Sequence, residues 1–243
     1  MNREEEPMPY KMLYLARRAK NVAWEDWPRT WKSHAVFASQ FPAMDGTIDW
    51  MRYTTRVDDP RVAQLPVSTE HDGVSVAEAP VLDTFYGKGF SKEQRALIDE
   101  DELRVFDRYT PEFSFWAQET RFVDGKVGEA AIFRFLKRKQ GVSRERLDGF
   151  LQGEYGQLAA ELAPALGVQR WALNSTVDGP PVDFPFEAID ESWFPSIDAA
   201  IEAFAKPEIT RLPQKLAEVC DLDAGITMLT RPTHRWPREP KPA

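Results

Sequence analysis

The chain has 243 residues, of which 42% are hydrophobic and 29% are charged, and its formal net charge is −8. This size allows one large or two small globular domains, and the acidic balance argues against a general nucleic-acid binder, which needs a basic face to neutralise phosphates. The single cysteine, Cys220, excludes an internal disulfide and a cysteine-based metal cluster. Neither a secretory signal nor an apolar run of about 18 residues occurs, so we expect a cytoplasmic protein without a membrane partner.

Four strands and two helices are predicted in the first half, after a lead of residues 1–9 that we expect to be disordered. Pro28 suits the first turn of one helix, and Ser91 with Gln94 three residues later forms the capping-box pattern of the other. A long surface connection, residues 58–72, separates two of the strands. The predicted bounds are 10–17, helix 24–39, 47–57, 74–85, helix 91–105 and 112–122.

The second half repeats the order strand, helix, strand, strand, helix, strand. Its long helix begins after Ser143, a favourable N-cap, and ends at Gly167, a typical C-terminal glycine. From Arg231 onward, four prolines predict an irregular tail. The predicted bounds are 130–137, helix 143–166, 168–177, 184–194, helix 196–205 and 225–230.

This repetition predicts a duplicated domain, with repeats at 10–124 and 125–230 and a proline-rich tail at 231–243. Each repeat matches the ferredoxin-like βαββαβ unit, an antiparallel sheet with two helices on one face. Because each sheet keeps one uncovered face, we expect an α+β fold in which the two sheets pack face to face as a dimeric α/β-barrel within one chain. The barrel interior is then the expected pocket.

The segment from Trp27 to Ala35 places a histidine inside an aromatic stripe. The side chains that share this helical face are Trp27, Trp31, His34, Ala38 and Phe41. His34 can act as a general acid or base, since imidazole titrates near neutrality. It can equally be a core histidine that bonds a backbone carbonyl, and the two interpretations stay open. A role as haem ligand is disfavoured, because the neighbouring aromatic rings would crowd a macrocycle.

This segment, with the strand at 10–18 before it and a strand at 51–57 after it, resembles EthD-domain proteins of the dimeric α/β-barrel superfamily. The resemblance spans roughly residues 10–235, but only the first half carries the histidine. The second half has Gly153-Glu154-Tyr155 at that place, although its strand at 184–194 is more family-like than the corresponding 81–86. The resemblance implies one working pocket or two unequal ones. Its members include accessory proteins of degradation operons, cofactor-independent decarboxylases, dehydratases, isomerases and monooxygenases on aromatic compounds, and distant haem enzymes.

Strand residues complete the candidate site. The catalytic candidates are His34, Tyr53 and Tyr14, because a tyrosine can donate to a developing oxyanion. The substrate-binding candidates are Arg52, Trp31, Trp50, Arg134, Asp83 and Tyr86, because arginine suits a carboxylate or phenolate and tryptophan stacks on planar rings. Alternation lets only one of Arg52 and Tyr53 point inward. Asp190 and Glu191 are further possible acids, although acids at strand ends are usually solvated.

We expect no metal and no cofactor, because the three histidines are scattered and no glycine-rich phosphate loop occurs. The predicted function is a cofactor-independent lyase or isomerase, of decarboxylase or dehydratase type, that uses acid/base chemistry on a small aromatic substrate. One alternative is a non-catalytic binding or accessory protein for a hydrophobic aromatic ligand. The other is a cofactor-free or haem-dependent oxygenase. A monomer would suffice for the barrel, and a homodimer is also possible.

Overall fold

The structure of the chain, a computed structural model, describes residues 9–41, 48–82 and 89–237. The strands are β1 Tyr10–Ala16, β2 Trp50–Arg56, β3 Gly73–Ala79, β4 Ser114–Val123, β5 Ala130–Arg138, β6 Arg170–Thr176, β7 Ala188–Phe194 and β8 Cys220–Trp236. The α-helices are α1 Trp27–Ala38, α2 Lys92–Val105, α3 Arg144–Phe150, α4 Gly156–Leu166, α5 Ile197–Ala205 and α6 Arg211–Leu216. Along the described residues, no helix combines the length and the apolarity that a bilayer crossing requires.

Local signals set several helix ends. The capping box of α2 is confirmed, since the Ser91 side chain accepts from the backbone of Gln94 and the Gln94 side chain accepts from the backbone of Ser91. Gly167 ends α4 in the left-handed conformation, with φ of 79°. Helix α1 begins at Trp27 rather than at residue 24, because Pro28 lies in its first turn, where the missing N–H costs no hydrogen bond.

The eight strands form one closed antiparallel barrel in the order β1-β3-β2-β8-β5-β7-β6-β4. The predicted α+β class and the barrel are thereby confirmed. The two halves join edge to edge, through the pairs β2·β8 and β4·β6, rather than face to face. Edge pairing satisfies the backbone N–H and C=O groups that open sheet edges would leave unpaired.

Strand β8 is longer than predicted and corrects the interpretation of the tail. It includes residues 231–236, which pair with β2, so the prediction of irregular structure from Arg231 onward is wrong for these residues. Pro232 lies opposite Thr54, beside the register shift between Tyr53 and Thr54. A proline is tolerated at such an irregularity because it has no N–H to donate to the ladder.

The long second-half helix is also interrupted. A π-helical turn, Leu151–Tyr155, separates α3 from α4. Gly149, Gly153 and Gly156 occur in and beside this turn, where their low helix propensity weakens the regular α pattern. The strand predicted at 184–194 begins only at Ala188, and the helix α6 was not predicted.

Side-chain alternation divides the barrel into an outer face, covered by helices, and an interior. Tyr14 and Tyr53 contact Trp31 of α1, so they lie on the outer face and not in the interior as predicted. Arg52 points inward, between the rings of Trp50 and Trp193 at 5.0 and 5.4 Å. Buried charged and aromatic side chains thus occupy the interior around Arg52, and the cavity that contains His34 lies elsewhere.

Candidate active site

His34 lies on the inward face of α1 and is 8% exposed. Its Nδ1 atom is 2.6 Å from Oδ2 of Asp101 on the neighbouring helix α2. Arg104 donates to the other carboxylate oxygen of Asp101 at 2.7 Å. The two helices therefore assemble a histidine and carboxylate pair whose carboxylate is itself held by an arginine.

The charge state of Asp101 fixes the role of the imidazole. Burial raises the pKa of Asp101, but the hydrogen bonds from His34 and Arg104 outweigh burial and lower this pKa below its ordinary value. An ionised carboxylate only accepts hydrogen bonds, so Nδ1 of His34 carries a hydrogen. In neutral imidazole, Nε2 is then an acceptor, and this atom has no hydrogen-bond partner among the described residues. His34 is oriented to receive a proton at Nε2.

The His34 cavity lies between the outer face of the first-half sheet and helices α1 and α2. Its volume is about 130 Å³, close to the roughly 150 Å³ of an engineered cavity that binds benzene. Its apolar lining is supplied by Met12, Ile48, Met51, Phe90 and Ile98. Arg95 and Glu102, an ion pair at 3.3 Å, add charge on the α2 side. The cavity suits one aromatic ring with a polar substituent.

Tyr14 is the second predicted catalytic residue that lines the cavity. Its hydroxyl oxygen accepts a hydrogen bond from Nε1 of Trp31 at 3.1 Å. Burial raises the pKa of Tyr14 above its ordinary value, so the hydroxyl keeps its proton at neutral pH. Tyr53 does not line the cavity. Its ring stacks on His234 at 4.1 Å, and its hydroxyl donates to the sulfur of Met51 at 3.5 Å.

The remaining predicted residues do not gather at this cavity. Trp50 and Arg52 lie inside the barrel, on the opposite face of β2 from Tyr53. Arg134 belongs to the second half, where its Nη1 donates to Asp190 at 2.7 Å. Asp83 and Tyr86 fall outside the described residues.

Several residues of the site were not predicted. The most informative is Asp101, which occurs on the apolar stripe of its helix with Ile98 and Val105, and an acid on such a stripe is a usable signal.

Asp190 and Glu191 are 0% and 2% exposed, so the expectation that they are solvated is wrong. Both carboxylates are held by buried donors, Asp190 by Trp171 and Glu191 by Trp193.

Comparison with known proteins gives a domain match in the second half and a fold for the chain. The model of the EthD domain matches residues 139–216, in the second half rather than around His34. No curated protein matches the chain. The solved structure of an anthrone oxidase-like protein has a TM-score of 0.64 at 13% identity, with 98% of this chain and 97% of that chain covered.

Two further solved structures have the same fold. A proposed monooxygenase from Fusobacterium nucleatum has a TM-score of 0.54 at 7% identity, with 94% of each chain covered. A mutant chlorite dismutase from Candidatus Nitrospira defluvii has a TM-score of 0.52 at 11% identity, with 93% of this chain and 92% of that chain covered. These descriptions name oxidase, oxygenase and dismutase proteins, and they contradict the prediction of a lyase or isomerase of decarboxylase or dehydratase type.

Proposed function

Because the EthD-domain model matches residues 139–216 and the chain forms a closed antiparallel barrel, we propose that it is a cofactor-independent oxygenase for a single-ring phenol. The observation that carries the proposal is the His34 and Asp101 pair, whose free Nε2 belongs to a residue lining a ring-sized apolar cavity. The oxidase and oxygenase descriptions of proteins with this fold favour oxygen chemistry over the lyase chemistry first predicted. The non-catalytic carrier does not need such a pair.

The reaction begins with proton transfer from the phenol hydroxyl to Nε2 of His34. The electron-rich phenolate then reduces O2, and one oxygen atom forms a bond to a ring carbon. Loss of water from this adduct, with the ring hydrogen and the second oxygen atom, gives a quinone. The balance is one phenol and one O2 to one quinone and one water, and all four electrons come from the phenol. Tyr14, which stays protonated, donates to the oxygen that carries the developing charge.

A haem-dependent oxygenase is the alternative that this fold brings with it, and the His34 cavity does not fit haem. The His34 cavity, at about 130 Å³, is below the roughly 300–1,000 Å³ of ordinary small-molecule sites and is too small for a porphyrin. His234 stacks on Tyr53, and a larger cavity of about 800 Å³ has no histidine among its described lining residues. The cysteine in the lining of this larger cavity is Cys220. Burial raises its pKa to about 12, which disfavours the thiolate that an iron ligand requires.

The proposal also includes the finer architecture. We propose that residues 10–124 and 125–230 are two ferredoxin-like repeats, because the strand order β4-β1-β3-β2 of the first half equals the order β8-β5-β7-β6 of the second. The barrel closes within one chain, which supports a monomer. A cytoplasmic location is proposed from the single cysteine.

The test is oxygen uptake with a panel of methyl- and methoxyphenols, together with the absorbance of the quinone product. We expect uptake and quinone formation without added cofactor, and one labelled oxygen atom in the quinone when the gas is ¹⁸O2. Replacement of the proton acceptor, His34→Gln, should lower the rate by roughly 100-fold or more, since general-base catalysis contributes about that much. His71→Gln is the matched control, because His71 is buried outside this cavity.

Three results would contradict the proposal. One is turnover of the phenol without O2 uptake, and another is a wild-type rate in folded His34→Gln. The third is activity that begins only after haem is added. Binding of phenols without any turnover would favour the carrier alternative instead.

A further inference from the structure

A second and larger cavity, here called the Arg134 cavity, lies in the second half of the chain. Its volume is about 800 Å³, within the roughly 300–1,000 Å³ that small-molecule sites occupy. It is bounded by β5, α6, the start of β8 and the connection that follows β2. Among the described residues, it shares no lining residue with the His34 cavity. A ligand of this cavity is therefore not explained by the proposed oxygenase site.

The walls of the Arg134 cavity are mainly apolar. Leu136 of β5, Phe204 of α5 and Leu216 of α6 form one side, and Leu222 and Ile226 of β8 form another. The cavity also contains the thiol of Cys220, whose pKa is raised by burial to about 12, so this group is neutral at physiological pH. Such walls favour an apolar, uncharged ligand body, because a charge would lose its hydration without compensation.

Arg134 supplies unused hydrogen-bond donors. The residue is 9% exposed, and its Nη1 atom is 2.7 Å from Oδ2 of the fully buried Asp190. The Nε and Nη2 atoms of Arg134 have no hydrogen-bond partner among the described residues. Neither atom is among the fully buried atoms without a partner, so both remain accessible to a ligand. A ligand oxygen that accepts from Arg134 is accordingly favoured.

The charges around Arg134 determine whether a carboxylate or a carbonyl oxygen of the ligand is favoured. Asp190 already balances the guanidinium charge, and a second carboxylate, Asp221, lies in the lining of the same cavity. A ligand carboxylate would add negative charge to a site whose positive charge is already paired. A carbonyl oxygen accepts the same hydrogen bond without that cost.

We propose that the Arg134 cavity binds an uncharged, largely apolar ketone of about two-ring size, with Arg134 donating to its carbonyl oxygen. The site is independent of the proposed oxygenase chemistry at His34. It is a binding site rather than a second catalytic centre.

The test uses prodan, an aminonaphthyl ketone whose emission shifts to shorter wavelength in apolar surroundings, with three naphthalenes as competitors. These are 2-acetonaphthone, the hydrocarbon 2-ethylnaphthalene and the anion 2-naphthoate. We expect 2-acetonaphthone to displace prodan at concentrations roughly tenfold or more below those of the other two, which is the typical effect of one hydrogen bond to a charged donor. The substitution Ala217→Phe, which places a ring in the cavity, should abolish the prodan signal, whereas Ala160→Phe on the exposed face of α4 should not.

Arg134→Lys keeps a positive charge for Asp190 and removes the planar set of donors, so the preference for the ketone over the hydrocarbon should fall in this variant. Equal competition by the ketone and the hydrocarbon would overturn the role of Arg134. Tightest binding of 2-naphthoate would make the cavity an anion site instead. An unchanged prodan signal in Ala217→Phe, or no signal in the wild type, would also refute the site. The Ala217→Phe variant tests the cavity even if Arg134→Lys does not fold.

Discussion

At the scale of single residues, the His34 and Asp101 contact is the feature on which the proposed chemistry depends. The imidazole is held by a carboxylate that Arg104 in turn positions, so the ring has one defined orientation in the cavity. The acceptor of the Nδ1 hydrogen bond is the carboxylate of Asp101 on α2, and not a backbone carbonyl of α1. Among the described contacts, His34 is therefore held by a carboxylate and not by a carbonyl.

The substitution Asp101→Asn tests this positioning role. An asparagine can present its NH2 group to Nδ1 and thereby favour the wrong tautomer of His34, which leaves Nε2 protonated and unable to accept a proton. We expect the rate of phenol oxidation to fall by roughly 100-fold with KM nearly unchanged, as for the loss of a general base. The measurement is kcat and KM across the pH range.

Glu100→Gln is the matched control for that variant, since Glu100 is an exposed acid on the same helix. Its kcat should equal that of the wild type. A folded Asp101→Asn enzyme with full kcat would show that the carboxylate does not position the imidazole.

At the scale of the elements, the close approach of α1 to the sheet depends on a glycine. Gly73 is the first residue of β3, and a Cβ atom built there would lie 2.4 Å from the ring of Trp31 and 2.4 Å from the carbonyl oxygen of Thr54. The buried Trp31 ring can occupy its place because residue 73 has no side chain. Trp31 also donates a hydrogen bond to Tyr14, which lines the His34 cavity. The packing of Trp31 against Gly73 therefore helps to position a residue of that cavity.

The substitution Gly73→Ala should therefore destabilise the protein by roughly 1–3 kcal/mol, as overpacking of a buried site commonly does. The free energy of unfolding from urea denaturation measures this effect. Gly149→Ala is the matched control, because a Cβ atom there meets nothing within 4 Å and alanine is the better helix former in α3. A Gly73→Ala variant as stable as Gly149→Ala would mean that Trp31 does not pack as described.

At the scale of the whole molecule, an ion cluster joins the two halves inside the barrel. Glu119 of β4 accepts from Lys11 of β1 and, at 2.7 Å, from Arg170 of β6 in the second half. Burial raises the pKa of Glu119, but the charge and hydrogen bond of Lys11, together with Arg121 and Arg170, outweigh burial and bring this pKa to about 2. The cluster lies at the β4·β6 seam, where the barrel closes.

The depressed pKa makes a prediction about acid stability. Because the pKa of Glu119 is lower in the folded state than in the unfolded state, its contribution is present above the unfolded value of 4.5 and is lost as the pH falls toward about 2. Full loss corresponds to roughly 3 kcal/mol. Urea denaturation between about pH 5 and pH 2 should accordingly show a smaller pH dependence in Glu119→Gln than in the wild type.

The matched control is Glu112→Gln, an exposed acid just before β4, and its pH dependence should follow the wild type. We also expect Glu119→Gln to be less stable than the wild type at neutral pH, because Lys11 then lacks its buried counter-charge. Parallel pH curves for wild type and Glu119→Gln would contradict the assignment of the acid-labile contribution to this cluster.

Features that depend on neighbours along the chain could be predicted from the amino-acid sequence alone. Apolar periodicity gave the order of the strands and of the helices other than α6, and cap residues such as Ser91 and Gly167 placed helix ends. The order repeated in both halves was enough to predict the α+β class and the barrel. It was not enough for the tail, because the residues that pair with 231–236 lie in β2, far away in the sequence.

Which side chains from distant segments meet could not be predicted in this way and follows from the folded structure. A shift of one residue turns a strand over, so alternation could not tell that Arg52 points into the barrel while Tyr53 points toward α1. His34 was predicted from its stripe, but Asp101, 67 residues later, becomes its partner only when α1 and α2 pack on the same sheet. Local patterns follow from short-range sterics and hydrogen bonds, whereas a site follows from contacts between distant segments, which the packing of the whole barrel selects.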